Sequence, residues 1–413
     1  MFAVIRQRNF TLLWFGQLAS AIGDLALFVA LPFYIYERTG STLATGAVFL
    51  VSTLPRLLFA PMAGVLVDRW DRKRVMIAAD LLRAAVLLVL LLAPFYGWVW
   101  LIYPVDFLLS SISQFFRPAK DAIVPRLVDN ERLVEANSLN ALGVNLAIVL
   151  GPSLGGALLA YTGLVTVVLL DAASFLTSAG LIALITHTSD GPAEAATTHT
   201  PVTAAAAGVW RDWLEALIWL RDQRMITGAF LIAGIGALAQ GIINVLLIVF
   251  AKDVLHAGPL EFGWLATAQG AGSIVGSALI AVVGRLLLPQ RMVALGHAAV
   301  GIILLLLVSF PFLPLALGLS VLQGIPVMGL SIGLNVLFQT RTSDRYLGRI
   351  FGTYEMTQAL LQILGMAFAS IWGHRLGVIP MLEIAACLYS LAGLAGMAIL
   401  RSGKSGISNL SVC

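Results

Sequence analysis

Three ionisable side chains interrupt stretches that are otherwise apolar. Asp24 lies in FGQLASAIGDLALFVALPF, Arg56 in LVSTLPRLLFAP and Asp106 in LIYPVDFLLSS. A charge in such surroundings costs about 2.5–3.5 kcal/mol on insertion scales, so it is kept for pairing, proton transfer or ligand binding. Asp24 and Arg56 stand on successive stretches joined by a short connection, at similar depth, and are expected to pair. As a structural feature, such a pair would only fix the register of two helices. Two acids against one base, however, leave an excess negative charge. That pattern suits a site that binds and releases a proton, with Asp24 as the first choice and Asp106 as the second. A cationic or bulky ligand would then compete with the proton.

The second half of the chain has no charge so central. It offers amides instead: Gln240, Gln269, Gln323, Gln358 and Gln362, with His297 nearby. Amides orient a ligand without titrating. The expectation is a division of labour, with protons handled by the first half and ligand contacts leaning on the second. His297 is read as a packing residue.

These residues need elements that place them. Of the 413 residues, 59% are hydrophobic and 11% charged, against about 25% charged in a soluble domain. Mean hydropathy is +0.94. Apolar stretches recur at 10–36, 43–66, 75–93, 98–116, 138–160 and 164–186. They resume at 225–250, 262–284, 292–311, 313–338, 349–373 and 379–400. Each is long enough to cross a bilayer as a helix, and lipid leaves helices as the default because it cannot satisfy backbone polar groups. The first stretch imitates a signal peptide, but it continues to Tyr36 and is read as a retained helix.

Charge placement orients the chain. With twelve spans both termini share one side, and 21 of the 25 Lys and Arg fall there, Arg83 included. Arg38, Lys252 and Arg375 fall on the other side, and Arg56 within a span. The positive-inside rule makes the richer side cytosolic. The net charge of +4 thus reflects topology and not a nucleic-acid partner. Cys387 and Cys413 give no disulfide or metal spacing.

Residues 187–209 form the only long polar break, and WRDWLEALIWLRDQR follows. There Trp210, Trp213, Leu214 and Leu217 make one apolar face, the pattern of a helix lying on the membrane surface. The expected organisation is a six-helix bundle at 1–186, a cytosolic linker with this helix at 187–224, a second six-helix bundle at 225–400 and a cytosolic tail at 401–413. A shift of 217 residues places Gly46 on Gly263, Arg74 on Arg291 and Asp106 on Gln323, a weak internal repeat. Such repeats put a ligand site near the midplane.

Two further motifs stand out. In GVLVDRWDRKR (64–74), Gly64 permits close helix approach, and Asp68 can accept hydrogen bonds from the N-terminus of a neighbouring helix. Arg69, Arg72, Lys73 and Arg74 complete a cytosolic latch, with Glu355 as a further member. In Gly151-Pro152-Ser153-Leu154-Gly155-Gly156, glycines four apart permit close packing and Pro152 weakens the backbone ladder.

The 64–74 stretch resembles the loop between helices 2 and 3 of the major facilitator superfamily, with Asp71 where the family often has Gly. RNFTLLWFGQLASAIGD (8–24), FFRPAKDAIVPRLV (115–128) and ANSLN (136–140) resemble its branch of enterobactin exporters and macrolide efflux pumps. The Gly151–Gly156 run resembles the helix-5 motif of family antiporters, with Ala147 in place of its first Gly. The family's Arg-x-x-x-Gln-Gly motif is missing from the fourth span. The resemblance covers nearly the whole chain. It implies an all-α integral membrane protein with 12 transmembrane helices in two six-helix bundles. Asp68 would pair near Gly348 and Arg349, and helices 1, 4, 7 and 10 would line the cavity, which favours Asp24, Asp106, Gln240 and Gln323 and leaves Asp171 and Glu383, in helices 6 and 12, as structural.

The expected function is export of an amphipathic drug-like compound or siderophore by proton antiport with alternating access. No cofactor or metal is expected beyond the proton gradient. The expected setting is a monomer in the inner (cytoplasmic) membrane, with both termini cytosolic. The rival on the same fold is an importer or uniporter. A polytopic membrane enzyme is disfavoured, because the five histidines are scattered and no P-loop appears.

Overall fold

The computed structural model describes residues 2–67, 70–186, 213, 215, 223–284, 287–342 and 344–399. Its long helices are α1 (Arg8–Thr39), α2 (Thr42–Val67), α3 (Arg72–Val89), α4 (Ile102–Leu127), α5 (Leu133–Thr162) and α6 (Leu164–Ala183). They continue as α7 (Arg224–Asp253), α8 (Pro259–Val283), α9 (Pro289–Ser309), α10 (Leu313–Arg341), α11 (Asp344–Leu376) and α12 (Val378–Ile399). Among the described residues there is no strand, and twelve helical segments are long and apolar enough to cross a membrane.

Charged residues made the spans look shorter than the helices are. The fourth apolar stretch ends at Phe116, yet α4 runs to Leu127 and carries Arg117, Lys120 and Arg126. The extension holds because Ala119, Ile123, Val124 and Leu127 bury into a core with Phe10, Met76 and Ile182. The charges occupy the other face. Helix ends follow local chemistry: Asp71 caps α3, its carboxylate accepting from the Arg74 N–H at 2.9 Å.

Two compact units divide the chain. The first comprises residues 1–209 with 257–267, and the second residues 210–256 with 268–413. The opening turns of α8 thus cluster with the first unit, whereas the sequence assigned them to the second bundle.

Within the first unit, α1 packs against α5 and α6, α3 against α4 and α6, and α2 against α4. Within the second, α7 packs against α11 and α12, and α9 against α10 and α12. The α1–α5, α1–α6, α3–α4 and α3–α6 pairings recur under a shift of six helices. The second core gathers Ile226, Phe230, Val293, Leu337 and Phe338, with Tyr354 set edge-on to Phe230 and Phe338.

Candidate functional site

Asp24 lies about 24 Å along α1 from Arg8, taking 1.5 Å of rise per residue. Its nearest cation is not Arg56. Asp24 Oδ2 is 3.9 Å from Nη1 of Arg83 on α3, which corrects both the expected pair and the assignment of Arg83 to the cytosolic surface. Arg83 sits about 16 Å into α3, and its side chain is only 4% exposed. The partner differs from expectation because α2 packs on α4 while α1 buries itself against α5 and α6. Being joined by a short loop does not bring Arg56 and Asp24 together.

The sequence analysis overlooked Asp80 as well. One turn before Arg83 on α3, it is fully buried and receives a hydrogen bond from Arg83 Nη2. The guanidinium carbon lies 4.5 Å from the ring centroid of Phe116 on α4 and 4.4 Å from that of Phe175 on α6. Two aromatic faces thus hold a planar cation by cation–π attraction. A signal was available: Asp80 and Arg83 are an i, i+3 acid–base pair inside the third apolar stretch.

Asp171 on α6 is the fourth member. It is fully buried, and Ser174 Oγ lies 2.8 Å from its carbonyl oxygen and 3.2 Å from Oδ1. One oxygen of each inner acid, Oδ2 of Asp80 and Oδ2 of Asp171, has no hydrogen-bond partner among the described residues. Asp24 differs, with 48% of its side-chain surface free. The site is thus one half-exposed carboxyl, one enclosed guanidinium and two enclosed carboxyls, supplied by α1, α3 and α6.

The other predicted charges stand apart. Arg56 and Asp106 are part-buried, and neither joins an ion pair among the described residues. Arg56 Nε and Asp106 Oδ2 are buried without hydrogen-bond partners.

The four glutamines of the expected ligand cavity are not bonded to one another. Gln240 accepts from the Tyr389 hydroxyl at 3.0 Å through Oε1 and donates to Asn244 Oδ1 at 2.8 Å. Gln323 is buried on α10, while Gln358 and Gln362 are half-buried on α11. His297 is buried, with Nδ1 2.9 Å from the Val293 carbonyl and its ring beside Tyr389.

Asp68 and Arg69 of the expected latch lie outside the described residues, and Gly64 is described only as part of α2. Lys73 has a different partner: its Nζ donates to the carbonyls of Ala183 at 3.0 Å and Ile185 at 2.7 Å, completing the end of α6. Arg74 is exposed beside Asp71, and Glu355 is exposed on α11. Of the expected surface helix, Trp213 and Glu215 are described and helical, and Trp213 Nε1 donates to Thr357 Oγ1 at 3.3 Å. Gly151, Pro152, Gly155 and Gly156 are all buried. Gly155 meets the backbone of Ala26 on α1, and Gly156 meets Pro259 within the first unit.

A family model described as "Transmembrane secretion effector" matches residues 1–407. Among curated proteins, the chain is 26% identical to macrolide efflux protein A of Streptococcus pyogenes, covering 90% of each. It is 28% identical to the multidrug efflux pump Tap of Mycobacterium bovis, over 87% of this chain and 85% of that one. Among solved structures, a bacterial homologue of the iron transporter ferroportin, in an inward-facing state, superposes with a TM-score of 0.75 at 16% identity. That match covers 95% of this chain and 98% of the other. The nucleoside transporter NupG gives 0.73 at 14% identity, over 95% and 99%. These structural likenesses establish the fold.

Proposed function

Because the chain belongs to the transmembrane secretion effector family of major facilitator transporters, we propose that it exports an amphipathic small molecule in exchange for protons. It is a multi-pass transporter and not an enzyme. The efflux relatives favour a drug-like substrate over a siderophore. The reading carries with it a cytoplasmic membrane, cytosolic termini, a monomeric transporter and a proton gradient in place of a cofactor.

The observation that supports proton coupling is the pairing of half-exposed Asp24 with enclosed Arg83. The guanidinium remains charged at any working pH. Asp24 therefore changes the net charge beside it whenever it gains or loses a proton. On this reading the free half of the Asp24 surface meets water in the transport cavity, where it exchanges that proton and where an arriving cationic or bulky substrate favours the proton's departure. In the alternating-access cycle, Asp24 discharges its proton when substrate loads and recovers one when the site faces the acidic side.

The test is uptake of a macrolide and of a cationic dye into inverted membrane vesicles. A proton gradient with the vesicle lumen acidic should concentrate both as protons leave the lumen, and collapsing the gradient should stop it. Asp24→Asn should abolish gradient-driven uptake but retain substrate counterflow, which needs no net proton movement. Uptake that ignores the gradient, or survives unchanged in Asp24→Asn, would refute proton coupling through this residue. Gradient-driven loss from preloaded inverted vesicles would instead mark an importer.

A further inference from the structure

Asp171 has no part in the function just proposed, yet it is enclosed in the same cluster. We propose that Asp171 is a second proton-carrying group of the transport site, working with Asp24 against the one guanidinium of Arg83. The inference rests on the proton-coupled reading above and adds a residue to it.

The geometry begins with Gly23. A Cβ built at that position would lie 2.2 Å from Asp171 Oδ1 and 2.8 Å from Ser174 Oγ. Position 23 can therefore carry no side chain while the carboxyl stays where it is. The absence of a side chain brings Asp171 against the α1 backbone immediately before Asp24. Gly16, two turns earlier, meets the Ser178 backbone at 3.2 Å in the same way. The α1–α6 seam is close along this whole face.

Hydrogen bonding sets the role. Ser174 serves one side of Asp171, and Oδ2 is buried without a partner. A buried carboxylate oxygen lacking a donor is costly, whereas a protonated carboxyl supplies its own O–H. Arg83 is held by Asp80 and by the rings of Phe116 and Phe175, so it cannot turn to satisfy Asp171 fully. The charged groups beside Asp171 are Asp24 on α1, next to Gly23, and Arg83 on α3, with which Asp24 pairs. Helix α5, also packed on α6, has its Glu135 in the first turn and Tyr161 at the far end. Three carboxyls thus share one fixed cation. As substrate seats beside them, Asp24 and then Asp171 give up their protons in two successive steps. Arg83 stays charged throughout, and interacting sites of this kind titrate as a pair.

Difference infrared spectroscopy of the purified full-length transporter, with and without macrolide, tests this directly. Two protonated-carboxyl C=O bands should respond to substrate, one vanishing in Asp24→Asn and the other in Asp171→Asn. Protons released per bound macrolide, read with an indicator dye in weak buffer, should fall in Asp171→Asn to about half the wild-type value. Gly23→Ala keeps both carboxyls but displaces Asp171, and should shift the Asp171 band. A single responding band in the wild type, lost only in Asp24→Asn, would overturn the role of Asp171 and leave the earlier reading intact. No band and no proton release would instead sink proton coupling itself. Because the wild-type bands carry the primary result, a poorly folding variant does not remove the test.

Discussion

At the scale of single residues, Arg83 carries the largest expected effect. It is 3% exposed, so removing it strands the buried Asp80 carboxylate and leaves a gap between two rings. Breaking a buried pair by deleting one partner costs about 3–5 kcal/mol. Arg83→Ala should therefore lower the thermal unfolding midpoint of the detergent-solubilised protein and reduce its yield. Arg83→Lys should fall between Ala and wild type, since it keeps the charge but not the planar face that Phe116 and Phe175 hold. An Arg83→Ala protein as stable as wild type would contradict the enclosed pairing. The sequence carried part of this site. Asp24 stood out because its surroundings are uniformly apolar. Asp80 and Arg83 did not, because counting arginines by side absorbs a cation that is inside a span. Asp171 was set aside for its span number, and which faces of α1 and α6 meet at Gly23 is a property of packing that helical periodicity alone does not encode.

At the scale of helices, the fold depends on close approach at a few places. A Cβ at Gly155 would lie 2.3 Å from the Ala26 carbonyl oxygen and 2.6 Å from its Cα. Backbone cannot rotate away as a side chain can, so α1 and α5 would have to separate. Overpacking of this kind costs about 1–3 kcal/mol, and Gly155→Ala should lower the unfolding midpoint and slow transport. Gly348 on α11 is the control: among the described residues nothing lies within 4 Å of its Cβ position. There alanine should be neutral or stabilising, by up to about 0.5–1 kcal/mol, through helix propensity alone. Equal destabilisation by both substitutions would argue against the α1–α5 seam. Asp71→Ala makes the complementary test at a helix end, where losing the cap of α3 should cost about 1 kcal/mol. The glycine motif of α5 was legible as a packing motif, but its partners were not. The role of Asp71 as a cap, and not as a departure from a loop pattern, needed only the observation that a helix starts beside it.

At the scale of the whole molecule, the count of spans was the most legible feature, because hydrophobic length and backbone satisfaction leave lipid-facing segments few alternatives. Sidedness rests on a separate physical cause, the bias of Lys and Arg toward the cytosolic face, and it can fail independently of the span count. The described connections supply exposed positions on both expected sides. Phe95, Tyr161 and Phe312 are 70%, 76% and 64% exposed, and Trp70 and Val134 are 51% and 77% exposed. Cys387 is exposed and free, so it and Cys413 must first be replaced by serine. Single cysteines at the five positions, probed on intact cells with a membrane-impermeant maleimide, should then divide cleanly. Phe95→Cys, Tyr161→Cys and Phe312→Cys should label from outside, while Trp70→Cys and Val134→Cys should label only after permeabilisation. The reverse division would invert the transporter, and with it the direction of export. Mixed labelling within either group would mean that the helices do not cross as an unbroken series, which no reassignment of charge could repair.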